Sequence, residues 1–163
     1  MSPSSSVEVR DAQVTDVDDI LLLIGELADY EKLRHQVTGS AADLAQHLFG
    51  PVPYAQALVA AIDGRTVGFA LYFFNYSTFL CKPGLYLEDL YVQPDWRRHG
   101  VGARLLATLA QRAVSRGCGR MEWAVLDWNQ SAIDFYLKIG AKPQDEWTTY
   151  RLTGDALTRL AAG

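Results

Sequence analysis

The 163 residues, 49% hydrophobic and 21% charged, have the make-up of a folded globule long enough to bury a core without staples, which excludes a disordered or fibrous chain. A formal net charge of −4 offers no global positive field to a nucleic-acid backbone, and no apolar run approaches the ~18 residues of a membrane span. Neither nucleic acid nor membrane is therefore expected as a partner, and the cytoplasm is the default location.

Residues 1–6 read as a short, polar, disordered lead, followed by one domain over 7–163. Alternation in Val7-Glu8-Val9-Arg10 predicts a first strand. Thr15 and Asp18 resemble a capping box at the start of a helix reaching about Leu33, with Ile20, Leu23, Ile24 and Leu27 as its buried stripe and Asp16, Asp19 and Glu26 off it. Ser40 caps a shorter helix ending near Gly50. Strands are predicted over 54–62, 66–76 and 85–92, the first two joined by Asp63-Gly64, a strong hairpin signal. A glycine-bearing turn over 97–102 leads into a helix over 103–116, marked by Leu105, Leu106, Leu109, Ala113 and Val114. A strand over 121–126, a helix capped by Asn129 and Ser131 and stopped at Gly140, a last strand over 148–152 and a short helix from Asp155 complete the order. Hairpins first and helix crossovers later imply an α/β (α+β) architecture, a mixed sheet with helices on both faces.

Arg97-Arg98-His99-Gly100-Val101-Gly102 follows a strand and opens a helix, so its backbone N–H groups converge at a positive helix terminus suited to pyrophosphate. Taken alone, such a turn is equally a structural connection. Two phosphate motifs are excluded: Gly102 is followed by Ala103-Arg104 rather than Lys-Ser/Thr, and Leu105 stands where a dinucleotide turn needs a third small residue.

Leu87-Glu88-Asp89-Leu90-Tyr91-Val92, then Arg97-x-x-Gly100-x-Gly102, resembles the acetyl-CoA motif of the GNAT acetyltransferases. Asp127-Trp128-Asn129-Gln130-Ser131-Ala132-Ile133-Asp134-Phe135-Tyr136, ending at Lys138-Ile139-Gly140-Ala141, is similar to that family's second motif. The stretches 24–31, 67–73 and 85–89 resemble its diamine (spermidine/spermine) and thialysine N-acetyltransferase branch. The resemblance implies a GNAT fold with a six- to seven-stranded sheet, acetyl-CoA as acetyl donor, a homodimer and a small amine as substrate; His35, His47, His99, Cys81 and Cys118 lack metal-ligand spacing, so no metal is expected.

An alkylamine with pKa near 10.4 is a free nucleophile in roughly one molecule per thousand at neutral pH, so its proton must be removed. Glu88 is the candidate base, directly or through water, in a place where the family keeps a proton-accepting carboxylate; the plainer reading is an ion pair or a turn cap. Strand alternation would let only one of Glu88 and Asp89 face the amine, leaving Asp89 as a supporting charge. The resemblance assigns Tyr136 as the acid that protonates the departing sulfur. It places the donor against Leu90, Tyr91, Val92, Arg97, Arg98, His99, Gly100, Val101, Gly102, Ala103, Asn129, Ala132 and Tyr136, with Asn129 also able to cap its helix. It places the acceptor against Tyr30, Glu31, Glu88, Asp89, Asp145 and Trp147. Two departures bear on that acceptor: Asp145-Glu146-Trp147-Thr148 replaces Glu-Gly-Trp-Arg, and Glu122 stands where diamine enzymes usually differ. An amino acid side chain such as that of lysine or thialysine, or a protein amine, is the alternative to a diamine or polyamine.

Overall fold

The computed structural model describes residues 6–163, so most of the short lead lies outside the described residues. These residues form two compact units, 6–124 and Val125–Gly163.

The first unit is built on one sheet in the order β1 (Val7–Asp11), β2 (Gln56–Ile62), β3 (Arg65–Ser77), β4 (Lys82–Val92) and β5 (Arg120–Trp123). The first four pair antiparallel, and β5 joins β4 in parallel. Five strands replace the six or seven expected. The β2–β3 turn carries φ of 51° at Asp63 and 78° at Gly64, the paired left-handed residues that a two-residue hairpin requires.

One face of the sheet carries α1 (Val17–Tyr30) and α2 (Ala41–Phe49), where Ile20, Leu23 and Leu48 bury against Ala57, Val59, Phe69 and Tyr91. The other carries α3 (Val101–Ser115), whose Leu105 and Leu109 are fully buried. On that side Tyr72 Oη meets Arg112, which also holds Asp11 at 2.6 Å. Val114, expected on the buried stripe, is 79% exposed and faces water.

The entry to α1 differs from the sequence expectation. The cap lies two residues earlier, where Asp16 accepts the Gln13 N–H at 2.7 Å and a two-pronged bond from Arg10 at 2.7 and 2.9 Å. Asp16 is therefore buried, and the Arg10 hydrogen bonds hold its carboxyl below the ordinary value. At the far end, Lys32 turns left-handed at φ 62°, and the Leu33 N–H closes on the Ala28 carbonyl at 2.8 Å, which stops the helix beside Glu31.

The second unit holds α4 (Gln130–Lys138) and α5 (Gly154–Ala161). Asn129 caps α4, its side chain accepting the Ala132 N–H at 3.4 Å, and Gly140 ends it at φ 94°. The strand predicted over 148–152 does not form. An extended run becomes a strand only through a neighbour's ladder, no strand lies elsewhere in this unit, and Tyr150 is 93% exposed.

Candidate active site

Register decides where the β4 side chains point. Leu71 pairs with Asp89 but the next residue, Tyr72, pairs with Leu87, so Glu88 is the extra residue of a β-bulge. Leu85 and Leu87 pair Phe74 and Tyr72, whose rings lie under Arg116 and Arg112 of or just after α3. Asp89 and Tyr91 pair Leu71 and Phe69 on the α1 side. Simple alternation thus fails here, because the bulge switches faces between Leu87 and Asp89. It also removes the restriction to one usable carboxylate: exposed Glu88 and half-buried Asp89 sit together at the bend.

Charge confirms the grouping. Burial first, then the neighbouring charges of Glu88 and Glu31, push the Asp89 carboxyl up to about 6. Burial also raises Glu31, at the end of α1. The groups that act on Asp89 are carboxylates from two elements, an arrangement that favours a cation among them.

Beyond Trp123, opposite Leu87, β5 no longer pairs with β4, although β4 runs on to Val92. β5 is also shorter than the predicted 121–126. One backbone edge of 88–92 is therefore unladdered on the β5 side among the described residues, leaving amides able to receive an extended ligand. The turn beyond is shaped by left-handed Arg98 (φ 64°) and Gly100 (φ 77°), and the first N–H groups of α3 open beside it. A Cβ at Gly102 would meet Leu90 at 3.7 Å and Val92 at 3.8 Å in ordinary van der Waals contact, so a side chain longer than a methyl would press on β4. Arg98, His99 and Ala103 are exposed, whereas Val101 is buried and offers only its backbone.

Arg97 is turned inward. Its Nε donates to the Val92 carbonyl at 2.9 Å, and its guanidinium lies 5.0 Å from the Tyr30 ring centre and 5.5 Å from that of Tyr91. The residue ties the turn to the end of α1, at the rim of an open recess of about 500 Å3 that Glu26 and Asp29 also line.

In the second unit, Ala132 and Tyr136 lie on α4, both half-buried, with the Tyr136 ring 5.8 Å from that of Phe135. Asp145 and Trp147 are exposed in the following loop, Trp147 at 79%.

Residues 26–141 match the model of the acetyltransferase (GNAT) family. The chain belongs to that family. It is 38% identical over 168 residues to a thialysine N-epsilon-acetyltransferase of Mus musculus, covering 96% of this chain and 98% of the relative. It is 34% identical over 197 residues to an L-ornithine N5-acetyltransferase of Arabidopsis thaliana, covering 93% and 86%. An integron cassette protein from V. cholerae shares its structure at a TM-score of 0.81 and 28% identity, covering 97% and 99%. This GNAT protein is accordingly an acetyltransferase whose mixed sheet and two helical faces are those of its family.

Sequence reasoning passed over one feature beside the bulge. Tyr86, two residues before Glu88, stacks on Phe73 at 5.2 Å and 27°, on the same sheet face as Asp89. Burial raises the Tyr86 hydroxyl, and Glu88 and Glu122 raise it further, which places both carboxylates in its surroundings. Period-two alternation from Glu88 back to Tyr86 was the available signal.

Proposed function

We propose that this protein transfers the acetyl group of acetyl-CoA to the primary amine of a small cationic acceptor by direct attack. The observation that carries the reading is the bulge in β4. It sets Glu88 and Asp89 beside Glu31 at the point where β4 loses its ladder to β5 and runs toward the N-terminus of α3.

Carboxylates at Glu31, Glu88 and Asp89, with Tyr30, bind the ammonium, and the family resemblance adds Asp145 and Trp147 to the acceptor groups. Glu88 takes its proton, directly or through one water. The neutral nitrogen attacks the thioester carbon and the C–N bond forms, the second nitrogen proton passes to solvent, and the C–S bond breaks. Tyr136 gives its phenolic proton to the leaving sulfur and is reprotonated from solvent.

The fit to the donor rests on backbone. The open edge at Leu90, Tyr91 and Val92 suits the thioester carbonyl and the amide groups of pantetheine, and the amides of 98–103 suit its pyrophosphate. Arg97 shapes this turn and Arg98 and His99 beside it are exposed, while the family resemblance assigns Asn129 and Ala132 to the pantetheine arm. A cytoplasmic homodimer completes the reading. Among the described residues no helix is long and apolar enough to cross a membrane.

Acetyl-CoA consumption measured over putrescine, spermidine, spermine, lysine, thialysine and aminoglycosides tests the reading. Turnover on at least one of these amines, with acetylated product, is expected. Tight acetyl-CoA binding without turnover on any of them would replace the enzyme reading with an acyl-CoA sensor or a protein-amine acceptor.

A further inference from the structure

The arginine that opens the donor turn points its side chain toward the acceptor end. Arg97 Nε is committed to the Val92 carbonyl at 2.9 Å, and its guanidinium lies within cation–π range of two rings on the α1 side of the sheet, those of Tyr30 and Tyr91. The recess it rims is also lined by Glu26, Asp29 and Asp95, with Arg65 as the other cation, and carboxylates in that number do not suit a pyrophosphate. Arg97 therefore offers the donor its backbone and leaves its side chain for another task.

That task is visible at the end of α1. Tyr30 is the last residue of the helix, its ring is exposed, and Glu31 follows it directly. An exposed ring on a terminal turn has several rotamers open to it. The guanidinium, anchored on Val92 and set against the buried ring of Tyr91, gives one of them a fixed partner. One turn earlier, on the same helix face, Glu26 accepts from Gln93 Nε2 at 3.2 and 3.3 Å, and the Gln93 N–H is itself fixed on the Val67 carbonyl at 2.9 Å. The last turn of α1 is thus held to the segment after β4 at two points, through Glu26 and through Tyr30. Burial, then the charge of Glu26, raise the Tyr91 hydroxyl while Arg97 opposes them, which sets both charges around that ring.

Resting on the acetyltransferase reading above, we propose that the Arg97 side chain is a positioning residue for the acceptor, holding the Tyr30 ring, and with it the corner from Tyr30 to Glu31, against the end of β4. The guanidinium acts through Tyr30 and touches neither substrate. One residue then serves the two substrates separately, its backbone at the mouth of the donor turn and its side chain at the acceptor end, so an arginine of the donor motif determines acceptor affinity.

The test is a pair of KM values, one for acetyl-CoA and one for whichever of putrescine, spermidine, lysine and thialysine turns over fastest. They are measured in wild type, Arg97→Gln, Arg97→Lys, Tyr30→Leu and the double variant Arg97→Gln/Tyr30→Leu. Arg97→Gln should raise the acceptor KM by about 5- to 10-fold while the acetyl-CoA KM moves by less than about 2-fold, and Arg97→Lys, which keeps a cation near the ring, should recover part of the loss. Because Arg97 acts through Tyr30, Arg97→Gln should add little to the acceptor KM once Tyr30 is replaced by leucine. If Arg97→Gln melts too early to assay, the same cycle is run with Arg97→Lys and judged by the same additivity. An unchanged acceptor KM, equal rises in both KM values, or full additivity in the double variant would overturn the positioning role and leave the acetyltransferase reading standing. Absence of transfer to any amine would overturn both.

Discussion

The two ends of the stretch of β4 proposed to meet the substrates present different groups. At the bulge the groups presented are side chains: Glu88 and Asp89 are brought beside Glu31 at the end of α1, and burial together with like charge raises the Asp89 carboxyl to about 6. Ten residues on, the groups presented are main chain. The turn before α3 presents amides through left-handed Arg98 and Gly100, its Val101 side chain is buried, and its inward arginine binds the Val92 carbonyl. A donor common to a whole family can be held by backbone, which mutation barely alters. An acceptor that differs among relatives must be chosen by side chains.

The sharpest way to break this contrast is to neutralise the acceptor end. Glu88→Gln keeps shape and removes the base, and kcat/KM should fall by about 10²- to 10⁴-fold, most steeply at lower pH where more amine carries its proton. A pH profile parallel to wild type would reduce Glu88 to a binding group. The next largest effect is expected from Tyr136→Phe, the donor-side residue assigned a proton-transfer role. A proton donor used only as sulfur departs should lower kcat and kcat/KM together by about 10²-fold while donor affinity holds. Full turnover in a variant that melts early would instead make Tyr136 a packing residue of α4.

The same contrast explains what the sequence could and could not reveal. The glycine turn, the hairpin at Asp63-Gly64 and the caps at Ser40 and Asn129 are local, and each was legible from a few adjacent residues because turns and caps have their own chemistry. Glu88, Asp89 and Glu31 were nameable through family resemblance, yet their geometry was misjudged, since a bulge is a property of two strands and β4 alone shows only alternation. Glu122 drew notice as a departure, but its place across from Tyr86 needed the parallel register with β5. The capping shift at Asp16 has the same origin, because its buried partner Arg10 comes from β1.

At the donor end the contrast predicts that backbone access outweighs side-chain identity. Gly102→Glu adds bulk against Leu90 and Val92 and negative charge beside the helix N-terminus, and should raise the KM for acetyl-CoA by about 10-fold or more. His99→Ala, which removes an exposed ring whose Nδ1 lies 2.8 Å from the Arg97 carbonyl, should move it only a few-fold. If the order were reversed in folded variants, with His99→Ala the more damaging, the donor site would be one of side chains and the distinction between the two ends would fail.

The smallest effect, and the most specific, concerns Asp89. Its folded value of about 6 lies above the ordinary 3.8, so the native state holds its proton more tightly than the unfolded chain does. The stability this contributes is complete below about pH 4 and is lost as pH rises through 6, where an ionised Asp89 is left half-buried beside Glu88 and Glu31. Asp89→Asn removes that loss. Its Tm should match wild type near pH 4 and exceed it above pH 7, by the equivalent of about 1–2 kcal/mol once mutual relaxation of the three carboxylates is allowed for. A cationic acceptor should act on wild type in the same direction, because an ammonium among these carboxylates favours the ionised form. Amine binding near pH 6 should therefore release protons, seen as a buffer-dependent heat in calorimetry, and Asp89→Asn should abolish most of that release. Equal stability at all pH values, together with proton release that survives the substitution, would show that Asp89 is already ionised in the free protein and that the acceptor end is not held near neutrality in readiness for a cation.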